Sequence, residues 1–103
     1  MKVVVSAVGD SLDSSVDPRF GRCAYFVIVD TENLSFEAIP NTSLYAASGA
    51  GIQAAQTLAS IGVEAVITGN VGPNAYRALA AAGIKVITGA TGTVKEAVEK
   101  YKK

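Results

Sequence analysis

Apolar residues recur along this chain in two rhythms, one alternating and one helical, and the switches between them mark its elements. Lys2–Val8 is a β-branched run that predicts a first strand, broken by Gly9-Asp10. A long polar loop then extends to about Arg22. Ala24–Val29 predicts a second strand. Leu34–Ile39 predicts a weaker third, with Leu34, Phe36 and Ala38 alternating against Ser35, Glu37 and Ile39, and the short connection at Asp30–Asn33 predicts a hairpin. A loop through Pro40-Asn41-Thr42-Ser43 leads to Ser48-Gly49. Beyond it Ile52, Ala55, Leu58 and Ala59 repeat at helical spacing, with Gln53, Gln56 and Ser60 on the other side, until Gly62.

The second half repeats one unit. Val63–Thr68 is nearly all apolar, as in a parallel strand buried on both faces, and Gly69-Asn70-Val71-Gly72 turns the chain. Pro73 stands at a first helical position, where its missing N–H is not needed, and Ala75, Ala78, Leu79 and Ala82 continue at helical spacing to a cap at Gly83. Ile84–Thr88 predicts a fifth strand and Gly89–Gly92 a turn. Thr93-Val94-Lys95-Glu96 fits a capping box, and Val94, Ala97, Val98 and Tyr101 form one stripe of a closing helix. The order β-β-β-α-β-α-β-α predicts an α/β domain. Its second half should be parallel with right-handed crossovers, and the hairpin makes the sheet mixed.

Composition narrows the class. With 103 residues the chain is one domain, residues 1–103, and its 50% hydrophobic content excludes intrinsic disorder. Nine Lys plus Arg balance nine Asp plus Glu, so no positive field is available for duplex nucleic acid. The longest apolar runs, Val3–Val5 and Ala24–Val29, fall far short of the roughly 20 residues of a spanning helix. Met1-Lys2 leads into Val3-Val4-Val5 without a secretory leader, so a cytoplasmic protein is expected, without a membrane or nucleic-acid partner. The single cysteine, Cys23, forms no internal disulfide, and the absence of histidine removes the commonest metal ligand and general base.

Three glycine-rich turns are candidate anion sites, because parallel strands bring helix N-termini to one sheet edge. They are Ser48-Gly49-Ala50-Gly51, Gly69-Asn70-Val71-Gly72-Pro73 and Gly89-Ala90-Thr91-Gly92-Thr93. Gly49-Ala50-Gly51-Ile52-Gln53-Ala54 matches a dinucleotide fingerprint, but it does not close a first strand, and Glu64 lies at the start of the next strand rather than its end. The carboxylates Asp10, Asp13, Asp17 and Asp30 suit hard cations, yet no Asp is planted in the first strand as a two-metal hydrolase would need, and they read as solvated loop groups. Cys23 follows Asp17-Pro18-Arg19-Phe20-Gly21-Arg22, and two arginines nearby would favour its thiolate. A thiolate ligates soft metals and iron–sulfur clusters, while an incidental buried cysteine fits the spacing equally. Arg19 and Arg22 present planar forks to anions, or to surface carboxylates.

The stretch Asp17-Pro18-Arg19-Phe20-Gly21-Arg22-Cys23 before a strand resembles a signature of the dinitrogenase iron–molybdenum cofactor biosynthesis family, small domains akin to NifX and the carboxyl-terminal part of NifB. Gly49–Gln56, Gly69–Ala75, Ala82–Val86 and Gly92-Thr93-Val94 agree, so the resemblance spans the chain. It implies a ribonuclease-H-like three-layer fold with a mixed five-stranded sheet. It also implies a non-enzymatic role: holding an iron–sulfur or iron–molybdenum cluster, or its precursor, between donor and acceptor proteins. Several members carry a histidine beside the Phe-Gly-Arg or Gly-Ala-Gly segment, where this chain has Arg19 and Ser48. Ligation would then fall on Cys23 or on anion-type contacts alone.

The expected site comprises Arg19, Arg22, Cys23, Ser48, Gly49, Gly51, Gly69, Asn70 and Gly72, with Cys23 as metal ligand, in a monomer. A metal-free small-molecule or nucleotide-phosphate sensor using the same helix N-termini is the alternative, and a metal-dependent hydrolase the third reading.

Overall fold

The structure, a computed structural model, describes residues 1–42 and 49–102. Its five strands, β1 (Lys2–Ala7), β2 (Tyr25–Asp30), β3 (Phe36–Pro40), β4 (Ala65–Ile67) and β5 (Lys85–Ile87), form one sheet of order β3-β2-β1-β4-β5. β1 pairs antiparallel with β2 and parallel with β4. β2 pairs antiparallel with β3, and β4 parallel with β5, so the sheet is mixed as the hairpin and crossovers predict. Three helices complete the chain: α1 (Ala50–Ile61), α2 (Pro73–Ala81) and α3 (Val94–Lys102).

The two-residue period of β1 divides the core. Val4 points to one side, where it joins Ile28 and Val66 under Leu58 of α1 and Leu79 of α2. Val3 and Val5 point to the other and pack with Val27, Val29 and Ile67 under Val94 and Val98 of α3. Each of these side chains is fully or nearly fully buried. Two helices therefore cover one face and one helix the other. Among the described residues no helix is long and apolar enough to cross a membrane.

Local signals mark the ends of the helices. Gly62 caps α1 at φ 83° and donates its N–H to the Leu58 carbonyl. Pro73 opens α2, and Gly83 closes it just past Ala82: at φ 77° it donates its N–H to the Ala80 carbonyl while the Ile84 N–H reaches the Leu79 carbonyl. The capping box of α3 is closed: Thr93 N–H donates to Glu96 Oε1 at 2.9 Å, and Glu96 N–H to Thr93 Oγ1 at 3.2 Å.

Two expectations are corrected. Leu34 does not begin β3, because it sits at φ 60° in the hairpin turn and donates its N–H to the Asp30 carbonyl. The stretch ahead of β2 is not a featureless polar loop. It contains a 3₁₀ turn at Phe20–Arg22, anchored by Phe20, which is buried against Phe26 with ring centroids 5.5 Å apart.

Candidate functional site

The segment before β2 is fastened to the sheet by buried polar groups. Ser6 Oγ donates to the Asp17 carbonyl at 2.6 Å and lies 2.7 Å from Thr68 Oγ1, while Asp17 N–H donates to the Ser6 carbonyl. Further along, Asn70 N–H donates to the Pro18 carbonyl at 2.8 Å and Phe20 N–H to the Asn70 carbonyl at 3.3 Å. Gly69 makes this possible. A Cβ there would lie 2.5 Å from Pro18 Cα, so only glycine lets the two loops touch.

The 3₁₀ turn then meets the start of α1, and α1 meets α2. A Cβ on Gly21 would stand 2.8 Å from Gly51 N, and one on Gly51 would stand 2.8 Å from Ala75 Cβ. Bare backbone at both positions draws three walls together. Between them opens a cleft of about 500 Å³ lined by residues 18–22, 49–52 and 72–75 with Asn70.

Its electrostatics favour anions. The first turns of α1 and α2 hold N–H groups, at Ala50, Gly51, Ile52, Asn74 and Ala75, that have no acceptor within their own helix. Neither helix has a side-chain cap or an acidic residue in that turn, and among the described residues no carboxylate lines the cleft. α3 differs, since Glu96 already answers its N-terminus.

Arg19 reaches the cleft through Asp17. Its Nε and Nη2 donate to Asp17 Oδ1 and Oδ2, each at 3.1 Å, and its own N–H donates to Oδ1 at 2.9 Å. Burial pushes the Asp17 carboxyl up, but these hydrogen bonds and the guanidinium charge outweigh it and hold the pKa below its ordinary value. Asp17 is 2% exposed and paired, which corrects its reading as a solvated loop group. Among the described residues no group of three or more His, Cys, Asp or Glu could hold a metal ion.

Of the expected site residues, Arg19, Arg22, Gly49, Gly51, Asn70 and Gly72 line the cleft. Gly69 packs beneath it against Pro18, and Ser48 lies outside the described residues. The third glycine turn, Gly89–Gly92, lines a separate groove on the α3 side. Cys23 is not brought to the cleft. It is 0% exposed, its Sγ donates to the Phe20 carbonyl at 3.3 Å, and it belongs to the core cluster under α1 and α2. Burial, then the Asp17 charge, pushes its thiol up to about 12, against opposing hydrogen bonds from the Ala7 and Cys23 backbone and from Asn41. A thiolate here is disfavoured, because the end of the 3₁₀ turn carries the side chain inward.

Two contributors were not among the expected site residues. Asn41 is buried and its Nδ2 donates to the Gly21 and Cys23 carbonyls at 3.0 and 2.9 Å, which holds the 3₁₀ turn from the far end of β3. Ala75 is the neighbour that makes glycine necessary at Gly51. A loop Asn carries no signal of its role, and Ala75 reads only as one position of the α2 stripe.

Sheet and cleft together define a small α/β domain with a cleft where two helices begin. The chain belongs to the dinitrogenase iron-molybdenum cofactor family, whose profile matches residues 1–103. An uncharacterised protein of Methanocaldococcus jannaschii is 33% identical over 98% of this chain and 89% of its own length. The apo form of the orange protein from Desulfovibrio gigas superposes with a TM-score of 0.95 at 47% identity, covering 98% of this chain and 86% of that one. A candidate NifB protein from Thermotoga, assigned to the DUF35 family and solved by NMR, superposes at 0.84 with 44% identity and the same coverage.

Proposed function

We propose that this protein is a non-enzymatic carrier for an anionic metal–sulfur cluster, iron–sulfur or iron–molybdenum in type, or for its precursor. One observation carries the reading: two helix N-termini without acidic or side-chain caps open onto a cleft that no described carboxylate lines, beside Arg19 and Arg22. Membership of a family named for such a cofactor supports the cargo class. N–H groups donate to sulfide as they do to oxygen, and guanidinium groups neutralise the cluster's charge. Arg19, Arg22, Asn70 and the N–H groups around Gly49, Gly51 and Gly72 would form the contact set. Cys23 is left out of it, so the cargo is held through charge and hydrogen bonds, a mode that suits release to an acceptor.

On this reading the protein works as a monomer in the cytoplasm between a cluster donor and an acceptor. The sheet order with β2 antiparallel beside β1 supports a ribonuclease-H-like assignment. A second reading is a phosphate-bearing small molecule, favoured by the burial of the only thiol, since nothing in the cleft then demands a metal.

Anaerobic titration with preformed iron–sulfur and iron–molybdenum clusters, followed by visible absorbance, tests the proposal. Saturable binding that weakens in Arg22→Gln and survives in Cys23→Ser is expected. Absence of binding by the wild type, with saturable binding of pyrophosphate, would move the assignment to the second reading.

A further inference from the structure

Among the described residues, arginines and not lysines stand at the cleft. The chain's three arginines are Arg19, Arg22 and Arg77. The first two line the cleft, and the third sits one turn into α2 with Nη1 3.5 Å from Oδ1 of Asn74, itself a lining residue. Helical side chains lean toward the N-terminus of their helix, which turns the Arg77 guanidinium toward the cleft mouth. The described lysines, Lys2, Lys85, Lys95, Lys100 and Lys102, lie on β1, β5 and α3, and none lines the cleft. α1 and α2 contain no Asp or Glu, and among the described residues Arg77 pairs with no carboxylate.

Resting on the carrier reading, we propose that Arg77 completes a three-arginine contact set, and that this set selects a weakly hydrated, multiply charged sulfide anion over an oxyanion. The reasons are physical. Asp17 occupies two donor groups of Arg19, so that arginine brings little net charge to the cleft. A cargo carrying two or more negative charges needs further cations, and Arg77 is exposed and free to move its side chain onto a ligand held by the first turn of α2. Guanidinium is less strongly hydrated than ammonium, so it loses less water on meeting a soft sulfide face, whereas a strongly hydrated phosphate is served equally by lysine. Among the described residues, arginine and not lysine stands at the cleft, which fits the sulfide.

The test compares wild type, Arg77→Gln, Arg77→Lys and, as a control of equal charge change on α3, Lys95→Gln. Each is titrated anaerobically with a preformed four-iron, four-sulfide cluster and, by calorimetry, with pyrophosphate. Glutamine and lysine keep helix propensity near that of arginine, and circular dichroism checks the fold. Arg77→Gln should bind the cluster about fivefold more weakly, the scale of an exposed ion pair, with Lys95→Gln unchanged. Arg77→Lys should recover pyrophosphate binding and not cluster binding. Equal affinity of Arg77→Gln and Lys95→Gln would overturn the contact, and full rescue of cluster binding by Arg77→Lys would overturn the selectivity. A wild type that binds neither ligand defeats the carrier reading and this inference with it, whereas a wild type that binds while Arg77→Gln matches it defeats the inference alone.

Discussion

Asp17 and Arg19 form a bidentate pair in which the carboxylate is buried and the guanidinium is not: two 3.1 Å hydrogen bonds join side chains that are 3% and 67% exposed. The inner partner is fixed by its backbone bonds to Ser6, so Asp17 sets where the arginine can stand. The cleft's first cation is therefore oriented from below.

Replacing Asp17 by Asn keeps the shape and removes the charge. The Asp17→Asn variant should lose about 1–3 kcal/mol of stability in urea unfolding, since a charge-assisted pair becomes a neutral one. The pH dependence has a definite sign. The folded carboxyl titrates below its ordinary 3.8, so its contribution is full above that value and is lost as pH falls through the lower folded pKa. Wild type should therefore weaken more steeply below about pH 4 than Asp17→Asn does.

Cys23 should behave as a core residue. At pH 8 its thiol should resist alkylation in the native protein and react on unfolding, because it is 0% exposed and pushed up to about 12. Its folded pKa exceeds the ordinary 9.0, so its contribution is full below that value and is lost as pH rises from 9.0 toward 12. The Cys23→Ala variant, which cannot ionise there, should show a smaller alkaline loss in the urea midpoint. Rapid modification of the native thiol would contradict the buried placement.

Glycine positions around the cleft should divide sharply. Gly21→Ala puts a methyl 2.8 Å from the Gly51 nitrogen, where backbone cannot rotate away, and should cost about 1–3 kcal/mol as overpacking does. Gly72→Ala meets nothing within 4 Å at an ordinary φ of −71°, and should be neutral or raise stability by about 0.4–1 kcal/mol. Thermal or urea unfolding of the two variants side by side gives the comparison.

The α3 cap separates stability from binding. Thr93→Ala removes both the hydroxyl contact to Glu96 Oε1 and the acceptor for the Glu96 N–H, and should cost about 1 kcal/mol. Cluster affinity should not change, since α3 packs on the opposite face of the sheet from the cleft. A parallel loss of affinity would show that the two faces are coupled.

Periodicity and caps are local properties, and what depends on them was legible in the chain. The five strands, the parallel second half, the stop at Gly62, Pro73 at the head of α2 and the Thr93–Glu96 box all follow from neighbours within a few residues of one another. The short β3 was misjudged at its start, because Leu34 belongs to the hairpin turn despite its apolar side chain. Six expected cleft residues were also legible, since glycine turns and arginines before parallel strands converge on one edge in any fold of this order.

Only the tertiary structure decided how those turns are shared. α1 and α2 fill one face, so the chain leaving the edge strand β5 returns over the other, and Gly89–Gly92 is parted from the cleft although its motif looks the same. The same holds for two side chains within a few residues of each other: Cys23 turns into the core and Arg22 to the cleft. A sequence states which groups are near each other along the chain. Which side of a sheet receives them is set by packing over long separations, where both faces must be covered and each buried polar group must find a partner.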